Sequence, residues 1–95
     1  MMTYSIVQTK AFRKGLTAMK RRGCDISKLN EVVGMLAMGQ RLPPIYRDHP
    51  LKNNHKGERD CHITPDWLLV YRKNEHTIEL ILLDTGTHRE LGLGG

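Results

Sequence analysis

Aromatic residues, cysteines and long apolar runs are scarce in this sequence, and each shortage removes a class of protein. Only 5% of its 95 residues are Phe, Trp or Tyr, which disfavours a plain RNA-binding domain built on an aromatic-rich sheet. Cys24 and Cys61 stand far apart and form no CxxC pair. Neighbouring Cys61 and His62 point to opposite faces of a strand, so no zinc site is expected from His49, Cys61, His62 and His88, and no other cofactor is implied. No apolar run approaches the roughly 20 residues needed to cross a bilayer. The start, Met1-Met2-Thr3-Tyr4-Ser5, leads into an alternating segment rather than the charged and then apolar opening of a secretory signal. A cytoplasmic protein with no membrane partner is expected, and in that reducing compartment both cysteines read as small, buried or half-buried residues.

What the chain has is enough for one core. Ninety-five residues suit a single domain over 1–95 and are too few for two domains that each bury their own apolar surface. There is no internal repeat, and residues 92–95 form a glycine-rich tail expected to fray. Lys and Arg number 15 against 10 Asp and Glu, a formal charge of +5. Such a field favours polyanions or acidic proteins as partners.

Periodicity divides the chain into two halves. Tyr4 to Gln8 reads as a short strand. Thr9 is placed to cap a helix over 10–22, in which Phe12, Leu16 and Met19 recur at helical spacing and Gly23 is the stop. Asp25 or Ser27 can cap a second helix to about Met38, with an apolar stripe of Ile26, Leu29, Val32, Val33 and Leu36 and a stop at Gly39. The short link between them predicts a helical hairpin packed over a sheet. Residues 40–57 read as a long functional loop. Strands at 58–63, 67–73 and 77–83 follow, with connections so short that the neighbours must be antiparallel. The expected fold is α+β, two N-terminal helices on a twisted antiparallel sheet of about four strands.

Histidines and a carboxylate cluster around the strand junction Arg59-Asp60-Cys61-His62-Ile63-Thr64-Pro65-Asp66-Trp67. His49 and His88 lie in turn-like segments on either side of it in sequence. Cleavage of RNA by its own 2′-hydroxyl needs a base, an acid and a cation for the phosphorane charge, and imidazole suits both proton transfers. Arg47, Lys52, Lys56 and Arg59 are candidate phosphate contacts. Tyr46 and Trp67 could stack on bases, and Trp67 shares a strand parity with Leu69 and Tyr71 that equally suits the core. Alternation places Asp60 on the same face as His62. Each candidate also has an ordinary reading: a solvated strand histidine at 62, a loop histidine at 49, a turn aspartate at 66 and a capping-turn histidine at 88.

Three strings together, Pro43-Pro44-Ile45-Tyr46-Arg47-Asp48-His49-Pro50-Leu51, Lys56 to Tyr71 and Thr85-Gly86-Thr87-His88, resemble the YafQ branch of the RelE/ParE-like type II toxins. The likeness spans nearly the whole chain. It implies a ribosome-dependent endoribonuclease that cuts messenger RNA in the decoding site, a toxin monomeric by itself and neutralised by a cognate antitoxin. It places His49, His62, Asp66 and His88 on the family's acid–base positions, with Trp67 beside them. His49 or Asp66 is then expected near the 2′-hydroxyl and His88 near the leaving oxygen. Two positions depart from the family pattern. Asp84, or its neighbour Leu83, stands where a basic residue is common, and Gly92 stands where an aromatic is common, which leaves Arg89 to supply phosphate contacts. The competing class is a non-enzymatic toxin on the same fold, a ParE-like gyrase inhibitor or a decayed nuclease that keeps only antitoxin binding.

Overall fold

Thr9 ends the first strand and begins the first helix. Its hydroxyl accepts from the Phe12 N–H at 3.0 Å and donates to the Leu83 carbonyl at 2.8 Å, so one residue caps helix α1 (Lys10–Arg21) and ties it to the last strand. The computed structural model describes residues 3–51 and 57–92. Helix α2 (Ile26–Ala37) is capped by Asp25, which accepts from the Ser27 N–H. Both helices fall within a residue or two of the expected spans, as do the strands β1 (Ser5–Gln8), β3 (Arg59–Thr64) and β4 (Trp67–Asn74).

The sheet differs from expectation in two ways. His49–Pro50 forms a two-residue strand β2 within the expected loop, and with β5 (Glu79–Gly86) the sheet has five strands in the order β1-β5-β4-β3-β2. It is also mixed: β1 runs parallel to β5, with Ser5 opposite Glu79 and Gln8 opposite Leu82, while the other pairs are antiparallel. A parallel edge becomes possible because the helical hairpin carries the chain away from β1 before the rest of the sheet forms. The last strand also runs further than expected, taking in Thr85 and Gly86 before Thr87 caps the short helix α3 (His88–Leu91).

The core lies between the helices and one face of the sheet, where Phe12, Met19, Leu29, Val32 and Leu36 meet Cys61, Trp67, Leu69, Tyr71, Leu80 and Leu82. Each large apolar side chain fully buried there contributes about 1.5–3 kcal/mol before entropy is counted. The central strand β4 is buried on both faces, since Leu68 and Val70, which alternate with the core-facing residues, are enclosed as well. In register Leu68 is opposite His62 and Val70 opposite Asp60. Directly paired residues share a face, so this second face carries the polar cluster on an apolar floor.

Candidate active site

The site begins with Asp48, a residue that does not itself enter it. Its carboxylate accepts from the buried Tyr71 hydroxyl at 2.6 Å and from Arg59 Nε at 3.2 Å. Burial and the hydrogen bond to Asp48 push the Tyr71 phenol well above its ordinary range, so it remains a donor. With Asp48 anchored, β2 is held against β3 and His49 stands opposite Asp60. His49 Nδ1 lies 3.0 Å from the Pro50 carbonyl, and its Nε2 lies 2.9 Å from Asp60 Oδ1. A ring that donates Nδ1–H to a carbonyl has a bare Nε2 when neutral. It is this Nε2 that His49 turns towards the Asp60 carboxylate.

Asp60 is only 4% exposed, and its Oδ1 has no hydrogen-bond partner among the described residues. The close approach of His49 is thus an electrostatic contact whose angle does not complete a hydrogen bond. Burial raises the Asp60 carboxyl above its ordinary value, opposed by His49, His62 and His88 around it. Two residues further along the same face comes His62. Its ring meets the His88 ring edge-on, with centroids 5.1 Å apart. Burial first, and the neighbouring His88 second, lower the His62 pKa below 6.5.

His88 is placed by an arrangement at the C-terminal end of the chain. Thr87 accepts from the Glu90 N–H, and Glu90 Oε1 accepts from the Thr87 N–H at 3.0 Å, closing a capping box around α3. Arg22, just beyond α1, donates to both oxygens of Glu90 at 2.9 and 2.5 Å. These bonds hold the Glu90 carboxyl down at about 2. A bidentate pair on the surface thereby fixes the helix whose first residue faces His62.

Of the expected site residues, the fold brings His49, His62 and His88 together. Asp66 stands exposed in the β3–β4 turn, where its charge is felt at Arg22. Asp60 was missed as a member of the site, although its shared parity with His62 was the available signal. Two expected RNA contacts are corrected. Trp67 is 2% exposed and donates its indole N–H to Thr85 Oγ1 at 2.8 Å, so its ring is core and offers no face to a base. Arg59 projects from the opposite face of β3 and is paired with Asp48, which makes it a brace for β2 rather than a phosphate contact. Arg47 and Arg89 are exposed, while Lys52 and Lys56 lie outside the described residues. The two departures have local structural roles: the Asp84 carboxylate accepts from the Thr85 N–H at 2.8 Å, and Gly92 takes the left-handed conformation that ends α3.

His49, Asp60 and His62 each present a ligand atom, all within 4.8 Å of one another. Two imidazoles and one carboxylate, whose Oδ1 is without a hydrogen-bond partner among the described residues, form a donor set that fits a divalent transition-metal ion. Cys61 has no part in it, being fully buried on the core side.

Comparison with known proteins places these features in a family. Residues 4–92 match the family model described as the bacterial toxin of type II toxin–antitoxin system, YafQ. The mRNA interferase toxin YafQ of Escherichia coli (strain B / BL21-DE3) is 36% identical over 81 residues, 84% of this chain and 86% of that protein. The crystal structure of a metal-bound toxin from Helicobacter pylori superposes with a TM-score of 0.89 at 43% identity, covering 93% of this chain and 98% of that one. The toxin–antitoxin complex DinJ-YafQ of E. coli gives a TM-score of 0.88 at 33% identity, covering 98% and 100% of the two chains.

Proposed function

From the premise that this chain belongs to the YafQ family of bacterial type II toxins, we propose that it is an mRNA interferase that cleaves messenger RNA on the ribosome by proton transfer among the clustered histidines. The observation that carries this reading is the pairing of His62 with His88 at 5.1 Å beside the His49–Asp60 contact. Two neighbouring imidazoles disfavour a second positive charge, and the one with the depressed pKa is the proton acceptor. His62 then takes the proton of the 2′-hydroxyl as the O2′–P bond forms. His88 gives its proton to the 5′-oxygen as the P–O5′ bond breaks.

The products of that reaction are a 2′,3′-cyclic phosphate and a 5′-hydroxyl end. His49, placed by its contacts with Asp60 and the Pro50 carbonyl, is the imidazole beside the phosphorane oxygens. Asp66, exposed in the β3–β4 turn, is the carboxylate among the family's acid–base positions. Phosphate contacts fall to the exposed Arg47 and Arg89, with Lys52 and Lys56, outside the described residues, as further candidates. A metal bound at His49, Asp60 and His62 would occupy the nitrogens that these transfers require.

The E. coli relative is solved in complex with DinJ, and an antitoxin is the partner proposed for this chain too. A +5 toxin suits an acidic segment of that antitoxin. The test is to add the purified protein, and its His88→Ala variant, to a translating-ribosome mixture and map the new 5′ ends. Cuts with 5′-hydroxyl ends at codons in the decoding site, lost in the variant, are expected. Messenger left intact at saturating wild-type protein would reject the nuclease in favour of a toxin that acts by binding alone.

A further inference from the structure

Next to the proton-transfer cluster, and sharing His62 with it, a groove of about 750 Å³ runs between the 3-10 turn Pro44–Tyr46, the start of α2 and the end of β3. His62 lines one end of it. Ile45, 79% exposed, and Tyr46 supply apolar surface, Lys28 and Arg47 supply positive charge, and Glu31 is the one acid in its lining among the described residues. Tyr46 is half-buried and packs against the core from the edge, so its ring is anchored. Arg47, a non-glycine residue, takes a left-handed backbone conformation with φ at 49°, an unfavourable geometry that persists only where surroundings impose it.

We propose that this groove is a nucleobase subsite, in which a base flanking the scissile phosphate stacks on Tyr46 while its backbone phosphate meets Arg47. The inference rests on the nuclease reading above and extends it from the bond cut to the nucleotide held. Continuity through His62 is the first argument: His62 lines the groove as well as the cluster, so a chain whose 2′-hydroxyl lies at His62 has this wall beside its adjacent nucleotide. Chemistry is the second. An anchored aromatic ring, an aliphatic neighbour and two cations match a flat apolar base joined to an anionic phosphate, the pairing found in single-strand RNA sites. The buried Trp67 and the glycine at position 92 offer no stacking face, which leaves Tyr46 as the aromatic beside the cluster among the described residues. Glu31, exposed in the same lining, is available to accept from the N–H groups of a base edge.

The test measures single-turnover cleavage on ribosomes carrying a messenger with a mapped cut, and the same messenger with an abasic nucleotide on either side of that cut. One abasic position should slow the wild type about ten-fold, the lower part of the range for stacking on an aromatic. Tyr46→Leu should cut the intact messenger about ten-fold more slowly and lose little further at that position, and Tyr46→Phe, which keeps the ring, should restore the loss. Ile45→Glu, at a surface site that does not support the core, should slow cleavage by introducing a carboxylate, and decides the question if Tyr46→Leu fails to fold. An unchanged rate in the folded variants, or a full abasic effect persisting in Tyr46→Leu, overturns the subsite. Weaker antitoxin binding with an unchanged cleavage rate assigns the groove to protein and overturns it as well. A wild type that cuts no messenger rejects the nuclease reading and the subsite together.

Discussion

At the scale of single residues, the chemistry depends on where protons reside among Asp60, His49, His62 and His88. His62 has its pKa lowered in the folded chain. The unfolded chain therefore binds this proton more readily, and the neutral ring's contribution to stability is present above about pH 6.5 and is lost as pH falls towards the depressed folded value. As a base, it also predicts that the acid limb of the cleavage profile lies below pH 6.5, measured by single-turnover rates between pH 4.5 and 8. A limb above that value would remove His62 from the role of base. Asp60 is raised instead, so its contribution is present at low pH and lost as pH rises through its folded pKa. A buried carboxylate with an orphan oxygen is a site where function opposes stability. Asp60→Leu should stabilise the fold by about 1 kcal/mol, seen as a rise in Tm, while cleavage drops by about 100-fold or more. A lower Tm would show that the His49 contact outweighs the burial of that charge.

Elements, rather than single side chains, decide whether those residues meet. Helix α1 approaches β5 so closely at Gly15 that a Cβ there would come within 2.2 Å of the Thr85 carbonyl oxygen. Gly15→Ala must push the helix off the strand, at a cost of about 1–3 kcal/mol readable in urea denaturation. The same strand end holds Thr85, whose hydroxyl accepts from Trp67 and donates to the Leu68 carbonyl. Helix α3 has only four residues, too few to stand without its caps. Arg22→Gln removes the pair to Glu90 and should lower cleavage several-fold through a looser His88, with a fall in kcat larger than any rise in KM and Tm almost unmoved. A change confined to KM would place Arg22 in substrate binding instead.

Across the whole molecule, the charge of +5 is the property a partner meets first. Association with the ribosome and with an acidic antitoxin should weaken as salt rises, and a plot of log affinity against log salt for RNA should slope downwards. Replacing Arg89 by Ala should reduce that slope and slow cleavage together; unchanged values of both would exclude it from the phosphate path. An antitoxin affinity indifferent to ionic strength would show that apolar anchoring dominates.

Helices, caps and most strands were legible in the sequence because they are set by local spacing: Thr9 and Asp25 as caps, Phe12 and Met19 on one helical face, Trp67, Leu69 and Tyr71 on one strand face. The three clustered histidines were singled out through the strings that carry them. Asp60 could have been added from its parity with His62, a period-two relation within one strand. The tertiary structure alone decided the parallel pairing of β1 with β5, the short strand that brings His49 to Asp60, and the Arg22–Glu90 pair that sets His88 against His62. It also decided that Trp67 is core and Arg59 is a brace. The physical reason is range: capping and alternation act within a few residues, whereas burial, ion pairing and strand order depend on which distant segments the fold brings into contact.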